Sequence, residues 1–161
     1  PSKFTTMKLS KYLVFKIKDY LFAIKTREII NILEKVRIYS KDEAKKDYFF
    51  VYKGMNIPYI DLYKILGCEI ECNKPVPFIL IIDIKINNKN ELIGIPIDEV
   101  VEITEIDDFM SYPFMQHTKV FSIKEAIVNY KNSPLIIINT DKMWNASKFD
   151  KNLVYKEYYS N

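Results

Sequence analysis

Two cysteines (Cys68 and Cys72), one histidine (His117) and two acidic pairs (Asp98-Glu99 and Asp107-Asp108) are the residues whose types could hold a metal or move protons. A metal centre needs three or four soft or imidazole ligands at workable spacing, and cysteines four apart with one distant imidazole do not supply them. The cysteines read as reduced thiols of a cytosolic protein, and His117 as a loop residue. Adjacent carboxylates on an extended segment point to opposite faces, so the acidic pairs read as solvated charge rather than an acid–base couple. Only three glycines occur, Gly54, Gly67 and Gly94, too few for a phosphate-cradling loop or a dinucleotide fingerprint, and there is no nucleophile elbow or HExxH. Trp144 beside Met143 reads as core. No catalytic residue, cofactor or metal is assigned, and an enzyme is not expected.

The elements that position these residues are short and extended. Val51-Tyr52-Lys53-Gly54 runs into Met55-Asn56-Ile57-Pro58-Tyr59-Ile60-Asp61, and Gly54 and Asn56 suit a turn between half-buried strands. Pro58 cannot donate to a ladder and marks an edge or bulge. After Asp61 the period changes, with Leu62, Ile65 and Leu66 on one face of a short helix that Asp61 caps and Gly67 stops. The unit returns at Ser133–Trp144, where Asn139 falls on Asp61, Ile138 on Ile60, Lys142 on Lys64 and Met143 on Ile65. A second pair is closer: Leu21–Glu34 lies over Leu92–Glu105 with a constant shift of 71, setting Ile29-Ile30 on Val100-Val101. Two imperfect copies are too few for a solenoid and suggest two related subdomains packed on each other.

At 161 residues, 48% hydrophobic and 14% aromatic, the chain has material for one domain or two small ones sharing a core. No apolar run approaches the roughly 18 residues needed to cross a bilayer. The opening Pro-Ser-Lys-Phe-Thr-Thr is neither a signal nor a transit peptide, and without a Met it suggests trimmed first residues. With 24 basic and 21 acidic residues interspersed, the surface reads as solvated rather than polyanion-binding. A nucleic-acid-binding barrel, suggested by twelve tyrosines and a basic pI, would need stacking aromatics beside clustered Lys/Arg, and no such cluster is visible.

Along the chain, Lys11–Lys18 and Tyr20–Lys25 form a hairpin, Thr26–Ile30 one helical turn, and residues from Ile32 a further strand. Ser40–Asp47 reads as a polar loop or exposed helical turn. Glu69–Pro77, with two prolines, is the candidate seam. Phe78–Ile86 and Glu91–Ile97 form a hairpin through Asn87–Asn90. Asp107–Thr118 reads as irregular, Lys119–Tyr130 as extended. Many short strands with regular turn signals indicate an all-β barrel architecture: a first barrel over 10–67, a second over 76–144, and a C-terminal tail, 145–161, with helical spacing at Val154/Tyr158.

Five motifs in order, Tyr12-Leu-Val-Phe15, Arg27-Glu-Ile29, the Lys53–Leu62 hairpin, Ile93-Gly-Ile-Pro-Ile-Asp-Glu-Val100 and Leu135-Ile-Ile-Ile-Asn139, resemble the CheW-like family of chemotaxis adaptor domains from Tyr12 to Trp144. The resemblance implies two five-stranded, SH3-like barrels around a shared hydrophobic core, with short helices and no catalytic activity. It further implies coupling of chemoreceptor cytoplasmic tips to the regulatory domain of the histidine kinase CheA, at the receptor array on the cytoplasmic face of the membrane. Ring assembly with CheA or other CheW-like domains is compatible with it; nucleic-acid binding and direct membrane insertion are not expected. The alternative is a CheW-like regulatory domain cut from a larger protein, CheA itself or an adaptor–receiver fusion.

The family's Asn-Leu-Arg-Gly loop reads Val51-Tyr52-Lys53-Gly54 here, and lysine keeps the charge without the bidentate fork. The family's Gly-rich stretch is missing from Ser122–Asn132. Carried over position by position, the resemblance implies kinase-facing Val51, Tyr52, Lys53, Gly54 and Met55. Receptor-facing positions are Thr26, Glu28 and Ile29, with Lys53 shared. For each apolar residue among them, Ile29, Tyr52 and Met55 included, the competing reading is plain core packing.

Overall fold

Apolar alternation and positive-φ turn residues set the hairpins. In the computed structural model, which describes residues 10–42, 47–68, 70, 74–106 and 122–149, β1 (Ser10–Ile17) and β2 (Tyr20–Lys25) pair antiparallel with Phe15 opposite Phe22. A 3-10 turn (Thr26–Glu28) leads into β3 (Ile29–Val36). The chain continues as β4 (Tyr39–Asp42), β5 (Asp47–Tyr52), β6 (Met55–Ile57) and the helical turn α1 (Leu62–Ile65). Then come β7 (Val76–Ile86), β8 (Lys89–Ile97), β9 (Glu99–Ile106), β10 (Lys124–Tyr130), β11 (Ser133–Ile138) and α2 (Thr140–Phe149). The class is all-β, as expected. Ser40–Asp42 and Asp47 differ from their reading as loop: they belong to β4 and β5, with Tyr39 and Ser40 opposite Phe49 and Tyr48, because ladder bonds run through the backbone whatever the residue type. Asp107–Thr118, Cys72, His117 and Val154–Tyr159 lie outside the described residues.

The strands form a five-stranded sheet, β10-β11-β2-β1-β9, and two three-stranded sheets, β3-β7-β8 and β4-β5-β6. The five-stranded sheet and β3-β7-β8 both take strands from either side of the Glu69–Pro77 seam, and the sequence repeat explains how. Hairpins β1–β2 and β7–β8 are equivalent, and each half lends the strand that follows its hairpin to the other: β9 pairs with β1, and β3 with β7. The parallel pairings agree too. Ala23 of β2 sits opposite Ile137 of β11, and the residues 71 and 78 positions away, Gly94 and Tyr59, form a parallel bridge with Gly94 N donating to Pro58 O and Ile60 N to Gly94 O.

Alternation sends the side chains of β1, β2, β7, β8 and β11 to two places. Tyr12, Val14, Ala23, Val128, Leu135 and Ile137 pack together inside the five-stranded sheet. Phe50, Tyr52, Ile57, Tyr59, Ile79 and Ile81 do the same within the other half. The opposite faces, with Leu13, Phe15, Phe22, Leu80, Ile82, Ile95 and Ile136, meet α1 and α2 in a shared core that includes Met143 and Trp144. The two helices start alike: Asp61 Oδ1 accepts from Lys64 N at 3.3 Å, and Asn139 Oδ1 from Lys142 N at 2.9 Å. Asp61→Ala should therefore cost about 1 kcal/mol, the usual worth of an N-cap, read as a lowered urea midpoint at unchanged slope.

Candidate functional site

The β5–β6 hairpin ends in a two-residue turn whose central residues both have positive φ, 49° at Lys53 and 76° at Gly54, the geometry that matches strand twist in tight hairpins. Gly54 adopts it without steric cost. The turn lifts Lys53 clear of the body, with Val51 46% exposed before it and Met55 49% exposed after it. Tyr52 points the other way and is buried. The Lys53 Nζ stands 5.4 Å from the centre of the Tyr52 ring, which holds the ammonium over an aromatic face.

Thr26, Glu28 and Ile29 lie at the junction between β2 and β3. Thr26 Oγ1 donates to Lys11 O at 3.4 Å, and Glu28 accepts from Thr140 Oγ1 at 3.3 Å, tying the junction to the first residue of α2. Burial pushes the Glu28 carboxyl above its ordinary range, against the hydrogen bond from Thr140 and the nearby Lys25 and Arg27. Ile29 is half-buried, packed against the shared core and opposite Ile82, so packing accounts for most of its side chain. Asn31 Nδ2, two residues after Ile29 on β3, donates to the Tyr52 hydroxyl at 3.5 Å.

Of the residues singled out for chemistry, Asp98 departs from its reading as solvated charge. Its carboxylate accepts from Lys18 N at 2.6 Å and from the Tyr63 hydroxyl at 2.5 Å, clamping the β1–β2 turn to α1. Burial, then Asp98, raises the Tyr63 phenol far above its ordinary value and keeps it protonated. Cys68 is half-buried beside Leu66 O. No group of three or more metal-ligating side chains occurs among the described residues. Sequence reasoning passed over the outward face of β9, where Val101 and Ile103 are 38% and 61% exposed between Glu99 and Glu105. The signal was there: both phases of Glu99-Val-Val-Glu-Ile-Thr-Glu105 carry apolar residues.

The comparisons agree with this architecture. No curated sequence matches the chain. Among solved structures it resembles the crystal structure of the scaffolding protein TtCheW from Thermoanaerobacter tengcongensis, at 22% identity and a TM-score of 0.62 over 82% of this chain and 90% of that one. A family model described as the CheW-like domain matches residues 11–148, which takes in every described strand but the first residue of β1 and all but the last residue of α2. The chain belongs to the CheW-like domain family.

Proposed function

We propose that this chain is a non-enzymatic chemotaxis adaptor that couples chemoreceptor cytoplasmic tips to the regulatory domain of the histidine kinase CheA. Membership of the CheW-like family supports the coupling or scaffolding role; the partners are our reading. The observation that carries it is the hairpin tip, where two apolar side chains about half exposed flank a raised cation on a stiff turn. Interfaces are built from such apolar anchors with charge at the rim. Val51, Lys53, Gly54 and Met55, with Tyr52 buried behind them, face the kinase domain in this account, and Thr26, Glu28, Ile29 and Lys53 the receptor helix. No helix among the described residues is long and apolar enough to cross a membrane. In this account the partners hold the chain at the array, on the cytoplasmic side, and rings with CheA or further CheW-like domains fit the same surfaces.

Lys53→Glu tests the surface. It should weaken association with the kinase domain or the receptor tip severalfold in a titration, while the melting temperature stays nearly unchanged, because an exposed substitution usually costs under about 0.5 kcal/mol. Undiminished binding of both partners would remove Lys53 from the interface.

A further inference from the structure

The internal duplication places a second copy of the Lys53 hairpin in the other half, and that copy is occupied. Tyr130, Lys131 and Asn132 stand 78 positions after Tyr52, Lys53 and Gly54 and repeat their backbone, with φ of 48° and 65° at Lys131 and Asn132. Lys131 Nζ lies 5.2 Å from the Tyr130 ring centre, as Lys53 lies 5.4 Å from that of Tyr52. Between the Tyr130 hydroxyl and Lys131 sits the Glu102 carboxylate: Tyr130 donates to its Oε2, and Lys131 Nζ reaches the same oxygen at 3.0 Å.

The residue 71 positions before Glu102 is Asn31, which meets the Tyr52 hydroxyl in the matching place but brings no charge. Its amide donates to the Tyr52 oxygen and so holds the place that Glu102 takes in the twin. Among the described residues no carboxylate pairs with Lys53. The flanks differ in the same sense: Val51 and Met55 stand where the twin has Asn129 and Ser133.

We propose that Lys53 is a receptor for a carboxylate of the partner protein, a Glu or Asp set among apolar residues, bound as Lys131 binds Glu102, with the Tyr52 ring beside the ammonium. An ammonium donating to a carboxylate oxygen makes a charge-assisted hydrogen bond, the stronger class. Val51 and Met55 supply the apolar contact around it. This rests on the reading of the hairpin as a partner surface.

The test supplies the missing acid from within. Asn31→Glu should place a carboxylate on Tyr52 and Lys53 as in the other half, and calorimetric titration with the purified kinase regulatory domain, then with a receptor-tip fragment, should show affinity for one of them reduced about tenfold or more. Lys53→Met, on an exposed side chain, should weaken the same partner by a comparable factor and keeps the test open should Asn31→Glu fail to fold. Normal binding by both variants, with Val51→Ser weakening it, would overturn the carboxylate site and leave the hairpin as an apolar docking face. Normal binding by all three would overturn the site and the partner surface together.

Discussion

Phe22→Ala should destabilise the whole chain by about 3–5 kcal/mol, the range for truncating a large aromatic in a core that cannot collapse around the gap. Phe22 is fully buried and stacks on Phe15 with ring centres 5.7 Å apart, within the core shared by strands of both halves and by α1 and α2. A domain of this size is stable by only about 5–15 kcal/mol, so the loss is a large share of the total. Because β9 completes the pairing of β1 while β3 completes that of β7, neither half keeps its own ladder if the other unfolds. Urea denaturation should accordingly give one transition at a lower midpoint with an unchanged slope. Two transitions, only one of them shifted, would show that the halves melt independently.

The second large effect lies at Gly94. A Cβ there would fall 2.3 and 2.6 Å from two atoms of the buried Phe50 ring, in a backbone held to Pro58 and Ile60 by hydrogen bonds of 3.0 and 2.9 Å. Neither side can withdraw freely, so Gly94→Ala should cost about 1–3 kcal/mol by overpacking, read from the urea midpoint. The other half shows the remedy. Ala23 and Val128, at the places corresponding to Gly94 and Phe50, share one buried cluster: a methyl is gained on one strand where a ring is given up on another. Gly94→Ala combined with Phe50→Val should therefore be more stable than the sum of the two single changes predicts, by about 0.5–3 kcal/mol in a double-mutant cycle. Strict additivity would show that the clash is relieved elsewhere.

Much of this was legible in the residues. The hairpin at Gly54, the Asp61 and Asn139 caps and the repeat at shifts of 71 and 78 all rest on local spacing, and local spacing survives folding. The exchange of β3 and β9 was not legible, since alternation tells which face of a strand is buried and not which strand lies beside it. The seam at Glu69–Pro77 follows from composition, yet three strand pairings cross it. Asp98 was misread for a related reason: its partners, Lys18 and Tyr63, are distant in sequence. At the candidate site, Lys53 came from the resemblance, at the place of the family's loop arginine, whereas the contrast between Asn31 and Glu102 needed the folded pairs.

Size-exclusion chromatography with light scattering, on the chain mixed with the kinase regulatory domain and a soluble receptor-tip fragment, addresses the coupling role most directly. The account predicts a complex containing all three components, retaining less of the kinase domain or of the receptor fragment on Lys53→Glu. Partners that displace one another from the wild-type chain, or that both elute without it, would contradict that role.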